Sequence, residues 1–166
     1  MNKYKLTIGV TGLNAIDSPG PGVGVIRSLR DCKEFDLRII GLSYEALEPG
    51  VYMHDLIDKS YQIPYPSAGS KQLLDRLKFI HVKEFLDVII PTFDAELASF
   101  IKISPTLESW GVHCFLPGME QLNELDKIHI YDFGKEHDFD VPKTTFISST
   151  SQITDLEDDF DYPMVV

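Results

Sequence analysis

Short apolar, β-favouring runs alternate along this chain with stretches whose apolar positions recur every three or four residues. Segment 5–12, KLTIGVTG, predicts a buried strand. A loop over 13–21 follows. Val23, Ile26 and Leu29 then share one helical face with the stem of Arg30, and Arg27 points outward, so a helix is expected over 22–32. DLRIIGLS (36–43) predicts a second strand. Segment 45–58 is broken by Pro49 and Gly50 and predicts irregular structure. KSYQIPYP (59–66) predicts a short edge strand, because its prolines exclude a central one.

Ser70 is placed to cap a helix over 70–85, with Leu73, Leu74, Leu77 and Ile80 on one side. DVIIPT (87–92) is the clearest strand, ended by Pro91. Segment 94–103 is helical, and Pro105 is expected to start a separate short helix reaching Trp110. VHCFL (112–116) predicts a strand, 118–138 one or two helices with a break near Asp126, and KTTFIS (143–148) a further strand. YPMVV (162–166) begins another, with no turn or cap after it. An apolar strand start in that position needs a neighbour, so the chain is expected to be a fragment of something longer.

Strands alternating with helices imply right-handed β-α-β units and a mostly parallel sheet covered on both faces. The expected fold class for residues 1–116 is therefore α/β, a three-layer Rossmann-like domain, with 117–166 beginning something else. In such sheets ligands meet the carboxyl ends of the strands. That edge collects segments 12–24, 43–47 and 91–96.

Charge narrows the partners. The formal net charge is -11, and Lys and Arg are scattered, which argues against nucleic acid. Cys32 and Cys114 are far apart with no C-x-x-C, fitting thiols in a reducing compartment rather than a disulfide framework. The apolar run at the N-terminus is too short for a membrane span. These features point to a soluble, cytoplasmic protein of one domain and a part of another.

The stretch SPGPGVGVIRSLRD (18–31) raises the question of a phosphate cradle. Its glycines, Gly20, Gly22 and Gly24, miss the dinucleotide spacing G-x-G-x-x-G, since the third position falls on Val25 or Arg27. The acid expected at the end of the second strand is absent too: Gly41, Leu42 and Ser43 stand there, and Glu45 comes late. No Walker pattern and no G-x-S-x-G elbow occurs, and VTGLNA lacks the acidic pair of a phosphoacceptor domain. Two readings of the glycines stand. They shape a turn that lets a helix sit close to the sheet, or the helix N-terminus they open faces an anion of a substrate. Asp94 and Glu96, just past a strand end, also have two readings. Asp94 caps the next helix and Glu96 favours its first turn, or the pair orients a cationic substrate or serves acid–base work. With Thr92, these residues are the candidates for a substrate side. No catalytic residue is assigned. The five histidines (His54, His81, His113, His129 and His137) have no metal-ligand spacing, so no metal site is expected from this chain alone.

Taken in order, GPGVGVIRSLR, DVIIPTFDAE, the Asp126-Lys127 pair of ELDK, the Val141-Pro142-Lys143 ending and the aromatic-proline start YPMVV resemble the N-terminal part of an ATP-grasp protein of the carbamoyl-phosphate-synthase-like kind. The resemblance spans nearly the whole chain. It implies a pre-ATP-grasp Rossmann-like domain over 1–116 and the opening of an α+β ATP-grasp domain over 117–166. The parent would be an ATP-dependent ligase that activates a small-molecule carboxylate as an acyl phosphate, which an acceptor nucleophile displaces. ATP and Mg²⁺ would serve the parent, with Lys127 as the ATP-contacting cation. In the family the acids that hold Mg²⁺, the adenine hinge and the phosphate-covering loop lie further on, so these 166 residues are expected to be inactive by themselves. Homodimers occur in the family. The loop GLNAIDSPGPGVG is longer and poorer in glycine than the family's, which leaves the acceptor open. Two other readings remain: a cofactor-binding Rossmann domain of an oxidoreductase or epimerase, and a non-catalytic ligand-sensing module.

Overall fold

A computed structural model describes residues 4–15, 19–124, 126–156 and 160. They form two compact units, the first ending at Gly118 and the second beginning at Met119. No described helix is long and apolar enough to cross a membrane.

The first unit is built on four parallel strands, β1 (Tyr4–Val10), β2 (Phe35–Ser43), β3 (Lys59–Gln62) and β4 (Val88–Ile90), in the order β3-β2-β1-β4. Helix α1 (Pro21–Asp31) connects β1 to β2, and α2 (Ser70–Glu84) connects β3 to β4. Helix α3 (Asp94–Ser109) follows β4. The period of two along β2 explains the layering. Ile39 joins Ile8, Val10, Leu13, Ile26 and Ile57 on the α1 face, while Ile40 and Leu42 join Leu73, Leu77, Ile80, Ile89 and Phe100 on the α2 and α3 face. Because both faces are covered, the inner strands read as continuous apolar runs. The fold is three-layer Rossmann-like α/β. The expected edge strand is present as β3, formed by the first four residues of KSYQIPYP, with both prolines past its end.

Several local expectations are corrected. Ser70 is the first residue of α2 and makes no cap; the N-cap is Gly69, at φ 97°, where a left-handed backbone favours glycine. The cap of α3 is Phe93, and Asp94 is its first residue. Pro105 starts no new helix. Its missing N–H leaves the Ile101 carbonyl without the usual donor, and the Ser104 hydroxyl donates to that carbonyl at 2.9 Å, so α3 runs through. Segment 112–116 is reduced to one parallel bridge, Val88 to His113. Ile89 N–H donates to the His113 carbonyl and His113 N–H to that of Asp87, both at 2.9 Å. Beyond it Phe115 is fully exposed and has no core to enter.

At the far end of α2, buried Glu84 ties the helix to two strands. Arg38 of β2 donates to it at 2.5 Å, Lys59 of β3 at 2.8 Å, and the Tyr61 hydroxyl also donates. Burial alone would raise its pKa. The donors outweigh that and pull it from the ordinary 4.5 to about 2. The unfolded chain therefore takes up this proton first on acidification. The stabilisation is complete above about pH 4.5 and is lost as pH falls toward 2. Glu84→Gln is expected to cost about 2 kcal/mol at neutral pH and to flatten the acid limb of a melting-temperature profile. An unchanged acid limb would sink the assignment.

The second unit contains α4 (Met119–Glu124), α5 (Ile130–Glu136) and the short α6 (Gln152–Asp155). The expected break near Asp126 is a turn in which the Asp126 carbonyl accepts from His129 N–H at 2.8 Å. Gly134 lets the chain return against α5, since a Cβ there would lie 2.5 Å from Val141 Cγ2. KTTFIS is not a strand, because it pairs with no described segment. YPMVV lies outside the described residues.

Candidate functional site

The carboxyl ends of β1, β2 and β4 converge, and helix α1 starts directly above β1. The glycines account for how close it comes. A Cβ on Gly22 would lie 1.8 Å from the Thr11 carbonyl oxygen, and one on Gly20 would lie 2.4 Å from that of Gly12. Gly12, at φ 70°, in turn sits against Thr92, whose Oγ1 would be 2.0 Å from a Cβ. Gly22 N–H donates to the Gly12 carbonyl at 3.1 Å, and Gly20 N–H to that of Asn14 at 2.7 Å. Gly24 faces open space. For Gly20 and Gly22, close helix–strand packing is a sufficient physical reason.

Glu96 joins the three strand ends. Its side chain is fully buried and both oxygens are used. Oε1 accepts from the Thr11 hydroxyl at 2.5 Å and from the N–H groups of Thr92 at 2.8 Å and Phe93 at 2.9 Å. Oε2 accepts from the Tyr44 phenol. As the third residue of α3 it also satisfies donors that the helix leaves open. Asp94 is exposed on the first turn. The two acids, two positions apart in the sequence, therefore occupy opposite environments.

Beside this junction lies a cleft of about 280 Å³. Segments 12–15, 44–49 and 65–66 supply most of its wall, and Phe93 completes it. Tyr44 and Tyr65 stack with ring centroids 5.6 Å apart and planes at 17°. The Tyr65 hydroxyl donates to Glu45. Burial, then the charge of Glu96, push the Tyr44 phenol far above its ordinary pKa. Glu48 is 5% exposed. Its Oε1 accepts from the N–H groups of Tyr44 at 2.6 Å and Glu45 at 3.1 Å, while Oε2 has no hydrogen-bond partner. Burial raises its pKa against the pull of the backbone amides around it.

The edge expected to meet ligands, segments 12–24, 43–47 and 91–96, does contribute to this cleft. The individual candidates Gly20, Gly22, Gly24, Thr92, Asp94 and Glu96 are not among its wall residues. Thr92 and Glu96 support the wall from behind, through Thr11 and Tyr44. Sequence reasoning passed over Tyr44, Glu48, Tyr65 and Phe93. Tyr44 and Glu48 follow directly on β2, which was the available signal; nothing local singles out Tyr65.

Lys127 is exposed on the turn between α4 and α5 of the second unit. The hollow of that unit, about 450 Å³, is bordered by Ile128, Tyr131, Asp132 and Lys143, among others, and Lys127 is not on its wall. Among the described residues no group of three His, Cys, Asp or Glu side chains comes together as a metal site.

No family model and no curated protein matches the chain. Solved structures do resemble it in fold. The biotin carboxylase domain of a single-chain bacterial carboxylase gives a TM-score of 0.54 at 12% identity, over 92% of this chain and 34% of that one. The biotin carboxylase domain of a thermophilic 2-oxoglutarate carboxylase bound to bicarbonate gives 0.50 at 17% identity, over 94% and 34%. The chain thus spans about a third of the length of each. At such identities the likeness is one of fold, and it covers both units of this chain.

Proposed function

We propose that this chain is the pre-ATP-grasp domain, together with the opening of the ATP-grasp domain, of an ATP-dependent ligase. The observation that carries the reading is the fold likeness to biotin carboxylase domains over 92% of the chain. It agrees with a motif order that resembles ATP-grasp proteins of the carbamoyl-phosphate-synthase-like kind. On this reading the boundary between the two domains falls near residue 116. The parent uses ATP and Mg²⁺ to activate a small-molecule carboxylate as an acyl phosphate, and a nucleophile displaces the phosphate. The cleft at the carboxyl edge of the sheet is the substrate side, and Lys127 meets ATP phosphates as an ammonium point charge.

The described residues do not fit Mg²⁺ by themselves, since no cluster of ligating side chains exists among them. The metal therefore belongs to other residues of the parent, and no step is derived through it. What these residues supply is position. Tyr44 and Glu48 are fixed by buried hydrogen bonds, so a substrate in the cleft meets rigid groups.

ATP turnover by the full-length gene product tests this reading. Mg²⁺- and carboxylate-dependent ADP release is expected, and Lys127→Ala should raise KM for ATP about tenfold, the worth of one charge-assisted contact of about 1.4 kcal/mol. A full-length product that binds ligand without any ATP turnover would favour a sensing module instead. Tight NAD(P) binding would favour the oxidoreductase class.

A further inference from the structure

The cleft beside Glu96 has a one-sided chemistry. Three aromatic rings, Tyr44, Tyr65 and Phe93, and two carboxyl groups, Glu45 and Glu48, border it, and none of the described wall residues is Lys, Arg or His. The tyrosines cannot readily offer their protons inward, because Tyr44 donates to Glu96 and Tyr65 to Glu45. The wall is therefore rich in acceptors and π-faces, and among its described side chains only the Asn14 amide brings N–H donors not already given to a carboxylate. Glu48 sharpens this. It is 95% withdrawn from solvent, it lines the cleft, and its Oε2 has no hydrogen-bond partner. A buried polar atom left open is costly unless something completes it. A ligand N–H donor gains most where an acceptor is already desolvated. A carboxylate or phosphate would instead meet two acids and the negative faces of the rings.

We propose that the cleft binds a small organic cation, a ligand carrying a primary ammonium group, which donates to Glu48 Oε2 and Glu45 while the Tyr44–Tyr65 stack and Phe93 flank its carbon skeleton. The inference rests on reading this cleft as the substrate side, assigns it to the acceptor rather than to the activated carboxylate, and adds the class of molecule it takes. The raised pKa of Glu48 agrees with it, since a buried acid with no cation beside it lacks the partner that an ammonium group supplies. The chain's net charge of -11 works in the same direction by drawing cations toward the surface.

Benzylammonium, benzyl alcohol and benzoate share one skeleton and differ in charge, so they make the test. Each is titrated at millimolar concentration into the ¹⁵N-labelled 166-residue protein. Benzylammonium is expected to shift the amides of Gly12, Asn14, Ala15, Tyr44, Glu45, Leu47, Glu48 and Phe93, with benzyl alcohol at least about tenfold weaker and benzoate silent. Glu48→Gln, which keeps an acceptor for the Tyr44 and Glu45 amides, should weaken benzylammonium about tenfold. Glu45→Gln, on the exposed rim, should weaken it severalfold and serves if the first variant folds poorly. Benzoate shifting the same amides as strongly would overturn the ammonium class while leaving the cleft a ligand site. Shifts spread away from these amides, no shift with any compound, or full affinity in both variants would overturn the inference outright. None of these outcomes touches the ATP-turnover test of the ligase reading.

Discussion

Gly22→Ala is expected to destabilise the first unit by about 4 kcal/mol or more, among the largest effects a single methyl group can have. The added Cβ would lie 1.8 Å from the Thr11 carbonyl oxygen and 2.7 Å from that of Gly12. Both are backbone atoms at the end of β1, so no side chain can swing aside. Relief requires lifting α1 from the sheet, which breaks the Gly22 N–H bond to Gly12 and uncovers Ile26. Gly24→Ala, two residues along the same motif, is expected to do the opposite. Its Cβ meets nothing within 4 Å, and alanine in a helix is worth about 0.5–1 kcal/mol over glycine. Thermal unfolding should show a fall of roughly 10 °C or more for the first and a rise of a few degrees for the second. If Gly22→Ala is no less stable than the unaltered protein, close packing is not why that glycine is there.

Glu96→Ala is expected to cost about 3–5 kcal/mol. It strands the Thr11 and Tyr44 hydroxyls and two backbone N–H groups at the junction of β1, β2 and α3. Glu96→Gln should cost less, about 1–2 kcal/mol, because one oxygen survives while an amide N–H now faces the Tyr44 phenol. Freed from its acceptor, Tyr44 should also lose its fixed ring geometry against Tyr65, seen as a weakened near-ultraviolet circular dichroism band. Asp94→Ala, exposed on the first turn of the same helix, should cost less than about 1 kcal/mol. Equal losses at positions 94 and 96 would show that first-turn charge, and not the buried network, is what matters.

Much of the architecture was legible before any coordinates. The runs KLTIGVTG, DLRIIGLS and DVIIPT read as strands because a sheet covered on both faces needs unbroken apolar sequence. The failures were also physical. Pro105 reads as a helix start because proline lacks an N–H, yet α3 runs through it, and the neighbouring Ser104 hydroxyl supplies a donor for the Ile101 carbonyl that the proline leaves open. KTTFIS has strand composition without a described partner, and a strand exists only where another segment pairs with it. For Glu96 a signal was present and unused: Glu96, Phe100, Ile103 and Leu107 recur at helical spacing, so the acid shares the core face while Asp94 does not.

The sequence by itself determined the alternation of strands and helices, the parallel sheet that follows from it, and which segments meet at the carboxyl edge of that sheet. These depend on periodicity and on the handedness of short connections, which are local properties of the chain. Only the tertiary structure decided which members of that edge face a cleft. It withdrew Gly20, Gly22, Thr92 and Glu96 into packing and support, and it brought Tyr65 against Tyr44 and left Glu48 buried with an open oxygen. Such pairings join segments that are distant in the chain, and their geometry is set by how the sheet brings those segments together.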